Sequence, residues 1–174
     1  MPMVKTKQEW ERYARRMRAD TLDKVIFRGG AADWRNLKTK VEWLGSVAGG
    51  PGYSIRKLRY EVVPGMWTSA LIYLPDKLTG RVPVVLNVNG HDRKNGKAAD
   101  YKQMRCINQV KRGMIAMNTE WLGMGELNTP GFDHYKMPQL NLCGTAGIAT
   151  FHLCMSRALD ILLEHPHADP KRVA

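Results

Sequence analysis

The sequence predicts an α/β fold in which an antiparallel hairpin leads into a mostly parallel sheet with flanking helices. Three observations predict it. Leu58, Tyr60 and Val62 alternate with Lys57, Arg59 and Glu61, the period-2 pattern of a half-exposed strand. Val84, Val85, Leu86 and Val88 form a short apolar run, interrupted only by Asn87, of the kind shown by a parallel strand covered on both faces. Beyond that run, helical periodicity alternates with another short apolar strand, which is the order of βαβ units.

In chain order, Trp10, Tyr13, Ala14 and Met17 recur at helical spacing with charges between them, predicting an amphipathic helix over about 7–22 packed on the domain. Residues 29–52 are rich in Gly and Trp without clear periodicity and read as a wrapping segment, with a short helix or strand over 37–44. The strand through Leu58–Val62 turns at Pro64-Gly65 and returns over 67–74, giving a hairpin at a sheet edge. The strand of 82–88 follows, then a helix over about 98–111 with Tyr101, Met104, Ile107 and Val110 as its candidate inward face and Gly113 ending it. Met114–Met117 is the next strand, which makes a right-handed βαβ crossover the expected connection. Thr119–Glu126 is a second glycine-bearing loop past a strand end, and 127–142 wander without period. Ile148, Phe151, Leu153, Met155, Leu159, Leu162 and Leu163 predict a long buried helix, stopped by His165-Pro166. Asp169–Arg172 reads as a turn, and Val173-Ala174 as the first step of another strand. A sheet whose next strand begins there leaves an incomplete layer. The expectation is therefore that these residues form the amino-terminal part of a larger domain.

With 174 residues, 44% of them hydrophobic, the chain can build a real core. No apolar run approaches the roughly 20 residues of a membrane span. The first ten residues carry no hydrophobic signal region, so the default expectation is a cytoplasmic protein without membrane contact. Cys106, Cys143 and Cys154 lack paired spacing and read as buried thiols. The net charge of +11 invites a nucleic-acid partner, but apart from Arg12, Arg15, Arg16 and Arg18 the basic residues are scattered, and no nucleic-acid partner is expected.

The residues themselves bear on several chemistries. Gly90 to Gly96 is reminiscent of a phosphate-binding loop, but five residues separate the glycines where four are needed, and Ala98 stands where a Ser or Thr must hold magnesium. His165, His167 and Asp169 lie within five residues, yet Pro166 and Pro170 make a structural turn the simpler reading; no metal and no cofactor is expected. None of the four serines, Ser46, Ser54, Ser69 and Ser156, sits on a Gly-x-Ser-x-Gly elbow, so no catalytic nucleophile is assigned within these residues. Acyl transfer also needs backbone N–H groups aimed at a developing alkoxide. Gly90 and His91, just past a strand's carboxyl end, are candidates for that role, and an ordinary βα turn is an equally good reading on these residues alone.

The order of hairpin, Arg-Val-Pro-Val-Val-Leu-Asn-Val-Asn-Gly-His-Asp, helix, Gly-Met-Ile-Ala-Met-Asn, Trp-Leu-Gly-Met-Gly-Glu and His-Pro-His-Ala-Asp-Pro-Lys-Arg-Val-Ala resembles the acetyl xylan esterase-like branch of the α/β-hydrolases, over about 55–174. The resemblance implies a partial α/β-hydrolase fold over 55–174, ending before the strand-turn-helix that carries the serine, while 1–54 stand apart from it as the amino-terminal helix and wrapping segment read from their own pattern. It implies an oxyanion turn at Gly90 and His91, and pocket-lining positions at Asp92, Glu120 and Trp121. The implied function is that of the amino-terminal part of a serine carboxylic-ester hydrolase acting on a small-molecule or carbohydrate ester, itself inactive without its triad. The alternative is a non-enzymatic module that binds a partner or self-associates through an exposed sheet edge.

Overall fold

The computed structural model describes residues 3–174, which fall into two compact units. The smaller unit comprises the chain up to Leu37 together with Met137–Ala149. Its first element, α1 (Lys7–Thr21), starts in a capping box: the Thr6 hydroxyl accepts from the Glu9 N–H while the Glu9 carboxylate accepts from the Thr6 N–H. The apolar stripe predicted for this helix is present but uncovered, with Trp10 54% and Met17 46% exposed and no residue of α1 buried. The amide of Gly30 donates to the Gly144 carbonyl at 3.1 Å, joining the two segments of this unit.

The larger unit, Lys38–Lys136 with Thr150–Ala174, holds a six-stranded sheet. Its strands are β1 (Val41–Ala48), β2 (Tyr53–Val63), β3 (Met66–Pro75), β4 (Val82–Asn87), β5 (Ile115–Thr119) and β6 (Ala168–Val173), in the spatial order β1-β2-β3-β5-β4-β6. β1, β2, β3 and β5 pair antiparallel in turn, whereas β4 runs parallel to both β5 and β6. The α/β class and the hairpin-to-parallel order are therefore as the sequence predicts.

Two helices cover the sheet. On one face α2 (Asp100–Lys111) sets Cys106 and Val110 against Tyr53, Tyr73 and Ala116. On the other, the carboxyl-terminal part of α3 (Gly147–Leu163) meets the buried Tyr60, whose hydroxyl donates to the Cys154 carbonyl at 2.7 Å. The alternation read in the hairpin is the physical one, since Leu58, Tyr60 and Val62 are all fully buried. Among the described residues no single helix is long and apolar enough to cross a membrane.

Four local expectations are corrected. Residues 41–48, read as part of a wrapping segment, form β1, so the hairpin is not at the edge; β1 is. Its residues are nearly all exposed, and an edge strand uncovered on both faces has no alternation to reveal it. A bulge between Trp43 and Ser46, with Gly45 at φ +86°, breaks its register with β2. The turn expected at 169–172 lies within β6, which pairs with β4 at its two ends, Val82↔Ala168 and Val84↔Val173, with a shift of register between them. In α2, Tyr101 and Met104 are 61% and 55% exposed, whereas Ile107 and Val110 do face the core, beside Lys102 and Cys106. Of the three cysteines, Cys143 is exposed.

Candidate active site

The loops after β4 and β5 lie side by side because the two strands are parallel neighbours, with Asn87 opposite Asn118. A row of buried amides finishes both strands. Asn89 donates from Nδ2 to Asn118 Oδ1 at 2.6 Å and to the Thr119 carbonyl at 2.7 Å. Asn118 in turn donates to the Lys97 carbonyl at 3.0 Å. Asparagine at the end of a buried strand satisfies the main-chain groups that the ladder no longer pairs.

Gly90 and His91 follow and are exposed. Among the described residues, neither of their amide N–H groups has a hydrogen-bond acceptor. The carbonyl of Gly90, by contrast, accepts from the Lys102 ammonium at 3.1 Å. Asp92, the next residue, uses Oδ1 to accept the Asn95 N–H at 2.9 Å, closing a local turn.

The side chain of His91 meets a second loop. Its Nε2 lies 2.8 Å from Nε2 of His134, whose Nδ1 lies 3.0 Å from the Leu122 carbonyl. A carbonyl only accepts, so His134 carries its proton on Nδ1 and presents a lone pair on Nε2, and His91 donates to it from Nε2–H. Tyr135 stacks on His91, and Arg93 sits over Tyr135 while pairing with Asp133 at 3.3 Å. Trp121 packs against Phe151 at 5.0 Å between ring centroids and against His134 at 6.3 Å, forming an apolar wall. Its indole Nε1 is buried and has no hydrogen-bond partner among the described residues. The Gly123–Phe132 stretch also lines a cavity of about 220 Å³ with Trp67 and Leu122.

Glu120 is only 1% exposed. Its Oε1 accepts the N–H groups of Lys97 and Trp121 at 2.9 and 3.2 Å, and its Oε2 lies 3.4 Å from the Lys97 ammonium. Burial raises its carboxyl above the ordinary carboxylate range, and the Lys97 charge only partly offsets this. Two loops approach this carboxylate so closely that a methyl group on Gly96 or on Gly125 would overlap its oxygens, and both glycines have positive φ, +53° and +50°. Lys97 also donates to Ser69 Oγ at 3.0 Å and pairs with Glu126, which accepts in addition from the Ser69 hydroxyl. Burial works against the Glu126 carboxylate, but the bonds from Lys97 and Ser69 outweigh it and hold its pKa below the ordinary value.

This cluster contains a serine beside a lysine without the chemistry of a Ser–Lys pair. A base must have its lone pair free for the hydroxyl, whereas the Lys97 amino group is a donor spread over Ser69, Glu120 and Glu126. Its role is to tie β3 to the loops beyond β4 and β5. The other imidazoles are engaged elsewhere: His167 Nδ1 lies 2.7 Å from the Gly80 carbonyl, and His165 Nδ1 accepts the His167 N–H at 3.2 Å. Among the described residues no group of three or more His, Cys, Asp or Glu is arranged to hold a metal ion. Sequence reading gave no part in the site to His134 or Lys102: the His91–His134 contact spans 43 residues, and a lysine in a helix carries no local sign of burial.

No protein-family model and no curated relative matches the sequence. Solved structures do match. A Bacteroides fragilis protein classed as an acetyl xylan esterase is similar over 97% of this chain and 47% of its own, at 16% identity and a TM-score of 0.79. Acetyl xylan esterase 1 from Thermoanaerobacterium sp. matches 82% of this chain and 45% of its own, at 19% identity and a TM-score of 0.61. The glucuronoyl esterase of Solibacter usitatus matches 98% of this chain and 53% of its own, at 14% identity and a TM-score of 0.60. The chain thus spans about half the length of the solved structures it matches. Over the part it spans, it shares the α/β fold of these esterase structures, a mixed six-stranded sheet with flanking helices.

Proposed function

We propose that this chain contributes one half of a serine ester-hydrolase active site, with the amides of Gly90 and His91 as oxyanion donors. One observation carries the reading: at the exit of the parallel strand β4 two adjacent amides are exposed and without acceptors, while the carbonyl between them is held from inside. That is the arrangement an acyl-transfer site requires, since the donors must already point at the place where negative charge develops. Trp121, backed by Phe151, forms the wall on which the acyl or alcohol part of the ester packs. Asp92 shapes the turn, and Glu120 fixes the neighbouring loop from beneath rather than touching substrate. The substrate class proposed is a carbohydrate or other small ester.

In the whole protein the nucleophile comes from outside residues 1–174. A serine donated there attacks the ester carbonyl, the alkoxide takes up hydrogen bonds from the two amides, the alcohol leaves, and a histidine-activated water releases the acid. The test compares residues 1–174 with the product of the full reading frame, using a fluorophosphonate serine probe and p-nitrophenyl acetate. Labelling and a hydrolytic burst are expected only in the longer product. Labelling of residues 1–174 alone, or a longer product inert to both reagents, refutes the proposal.

A second reading, a non-enzymatic self-associating module, draws on β6, which pairs only with β4 among the described residues. Light scattering on the same two samples separates it: a full-length product that is inert yet dimerises through that edge favours the module.

A further inference from the structure

α2 meets the exit of β4 with three polar residues at i, i+3 and i+7. Gln109 exchanges hydrogen bonds with the Asn87 side chain at 2.8 and 3.2 Å, Arg105 donates to Asn89 Oδ1 at 3.1 Å, and the Lys102 ammonium donates to the carbonyls of Gly90 at 3.1 Å and Gly96 at 2.9 Å. The ladder follows the strand past its end, one contact per helical turn or less.

Lys102 is the unusual rung. It is 1% exposed, and among the described residues no carboxylate pairs with it. Burying an ammonium without a counter-charge is costly unless its donors are satisfied, and helix packing alone would be met better by an apolar residue, as Cys106 and Val110 meet it on the same face. What a lysine supplies and leucine would not is control of the Gly90 carbonyl.

That carbonyl belongs to the same peptide unit as the His91 N–H. The unit is planar and trans, since the described chain contains no cis peptide bond, so its C=O and N–H point in opposite directions. Holding the oxygen inward against Lys102 turns the His91 N–H outward. A positive charge on the oxygen also polarises the amide and makes its N–H a stronger donor. The second bond, to Gly96, ties down the far end of the same turn.

We infer that Lys102 is a positioning residue for the oxyanion turn, aiming and polarising the His91 amide through the Gly90 carbonyl. This rests on the esterase reading of that turn, and the test keeps the two apart. In the unaltered chain, the buried Lys102 NH3+ signal is expected to survive solvent exchange in 15N NMR at neutral pH; a rapidly exchanging Lys102 overturns the inference. In Lys102→Met, the His91 amide resonance is expected to move while those of the distant β2–β3 hairpin stay in place. In the full-length product, the same substitution is expected to lower kcat tenfold or more with KM changed less than twofold, and Lys102→Ala is expected to recover activity with added ethylammonium. A Lys102→Met variant that is merely less stable, with the His91 amide and kcat unchanged, overturns the inference. If the full-length product hydrolyses no ester, the esterase reading fails, while the NMR arms still decide whether Lys102 orients the His91 amide.

Discussion

The Nε2 atoms of His91 and His134 lie 2.8 Å apart, and the Leu122 carbonyl behind His134 fixes which of them carries the shared proton. The pair joins the turn after β4 to the loop that precedes α3. NMR of the ring nitrogens is expected to show His134 as the Nδ1–H tautomer. His134→Ala removes one acceptor and one ring from the Trp121–Phe151 wall, so it is expected to cost about 1 kcal/mol and to speed amide exchange at Gly90–Asp92. Unchanged exchange there would show that the turn holds itself.

Around Glu120 the same ion cluster should respond unequally to its members. Lys97→Met leaves a buried carboxylate without its cation and is expected to cost about 3–5 kcal/mol. Glu126→Gln touches a side chain that is 54% exposed and is expected to cost less than about 1 kcal/mol. Gly96→Ala and Gly125→Ala each force a methyl group into the Glu120 oxygens at a left-handed backbone position, at an expected cost of about 2 kcal/mol or more. Urea denaturation of the four variants checks the order.

Thiol reactivity should separate the cysteines cleanly. Burial pushes the Cys106 and Cys154 thiols up to about 12 and about 11, while Cys143 is exposed. Ellman's reagent is expected to titrate one thiol rapidly in the native chain and the remaining two only after denaturation. Rapid reaction of two or three would mean that α2 or α3 opens readily.

His165 gives a pH dependence whose sign follows from its surroundings. Burial, with His167 and Arg56 adding like charge, lowers its pKa below the ordinary value of about 6.5. The unfolded chain therefore takes up the proton first as the pH falls. The stability that His165 contributes is full above about pH 6.5 and is lost as the pH drops through the lowered folded-state value. The Nδ1 acceptor for the His167 N–H also disappears on protonation. The urea midpoint is expected to fall between pH 7 and 5.5, and His165→Gln is expected to flatten that change.

The parts of the fold that could be read from sequence are those where burial imposes a period. Leu58, Tyr60 and Val62 alternate because one face of β2 is sealed, and the β4 run is apolar around the fully buried Val84, with Val82, Val85 and Leu86 half-buried and Val88 beyond the strand exposed. β1 escaped because neither of its faces is covered, and β6 because only its ends, Ala168 and Val173, pair, with a strand more than eighty residues away, while Pro170, Lys171 and Arg172 between them carry no apolar period. The position of Gly90 and His91 just past a strand end was legible, and the role proposed for them rests on it. The groups that hold them were not: Lys102 is hidden by a charge that belongs to the interior, and His134 reaches the site only through the chain's path.

The bulge at Gly45 has a bearing on how this protein behaves at high concentration. A flat, exposed edge offers its unpaired amides and carbonyls to any passing strand, including one from another copy, and growth of that kind propagates into fibrils. By twisting β1 between Trp43 and Ser46, the bulge takes away the straight run of donors and acceptors such stacking needs. Replacing Gly45 with a residue that straightens the strand would turn a quiet margin into a template, with thioflavin fluorescence rising from a chain whose interior had not changed at all.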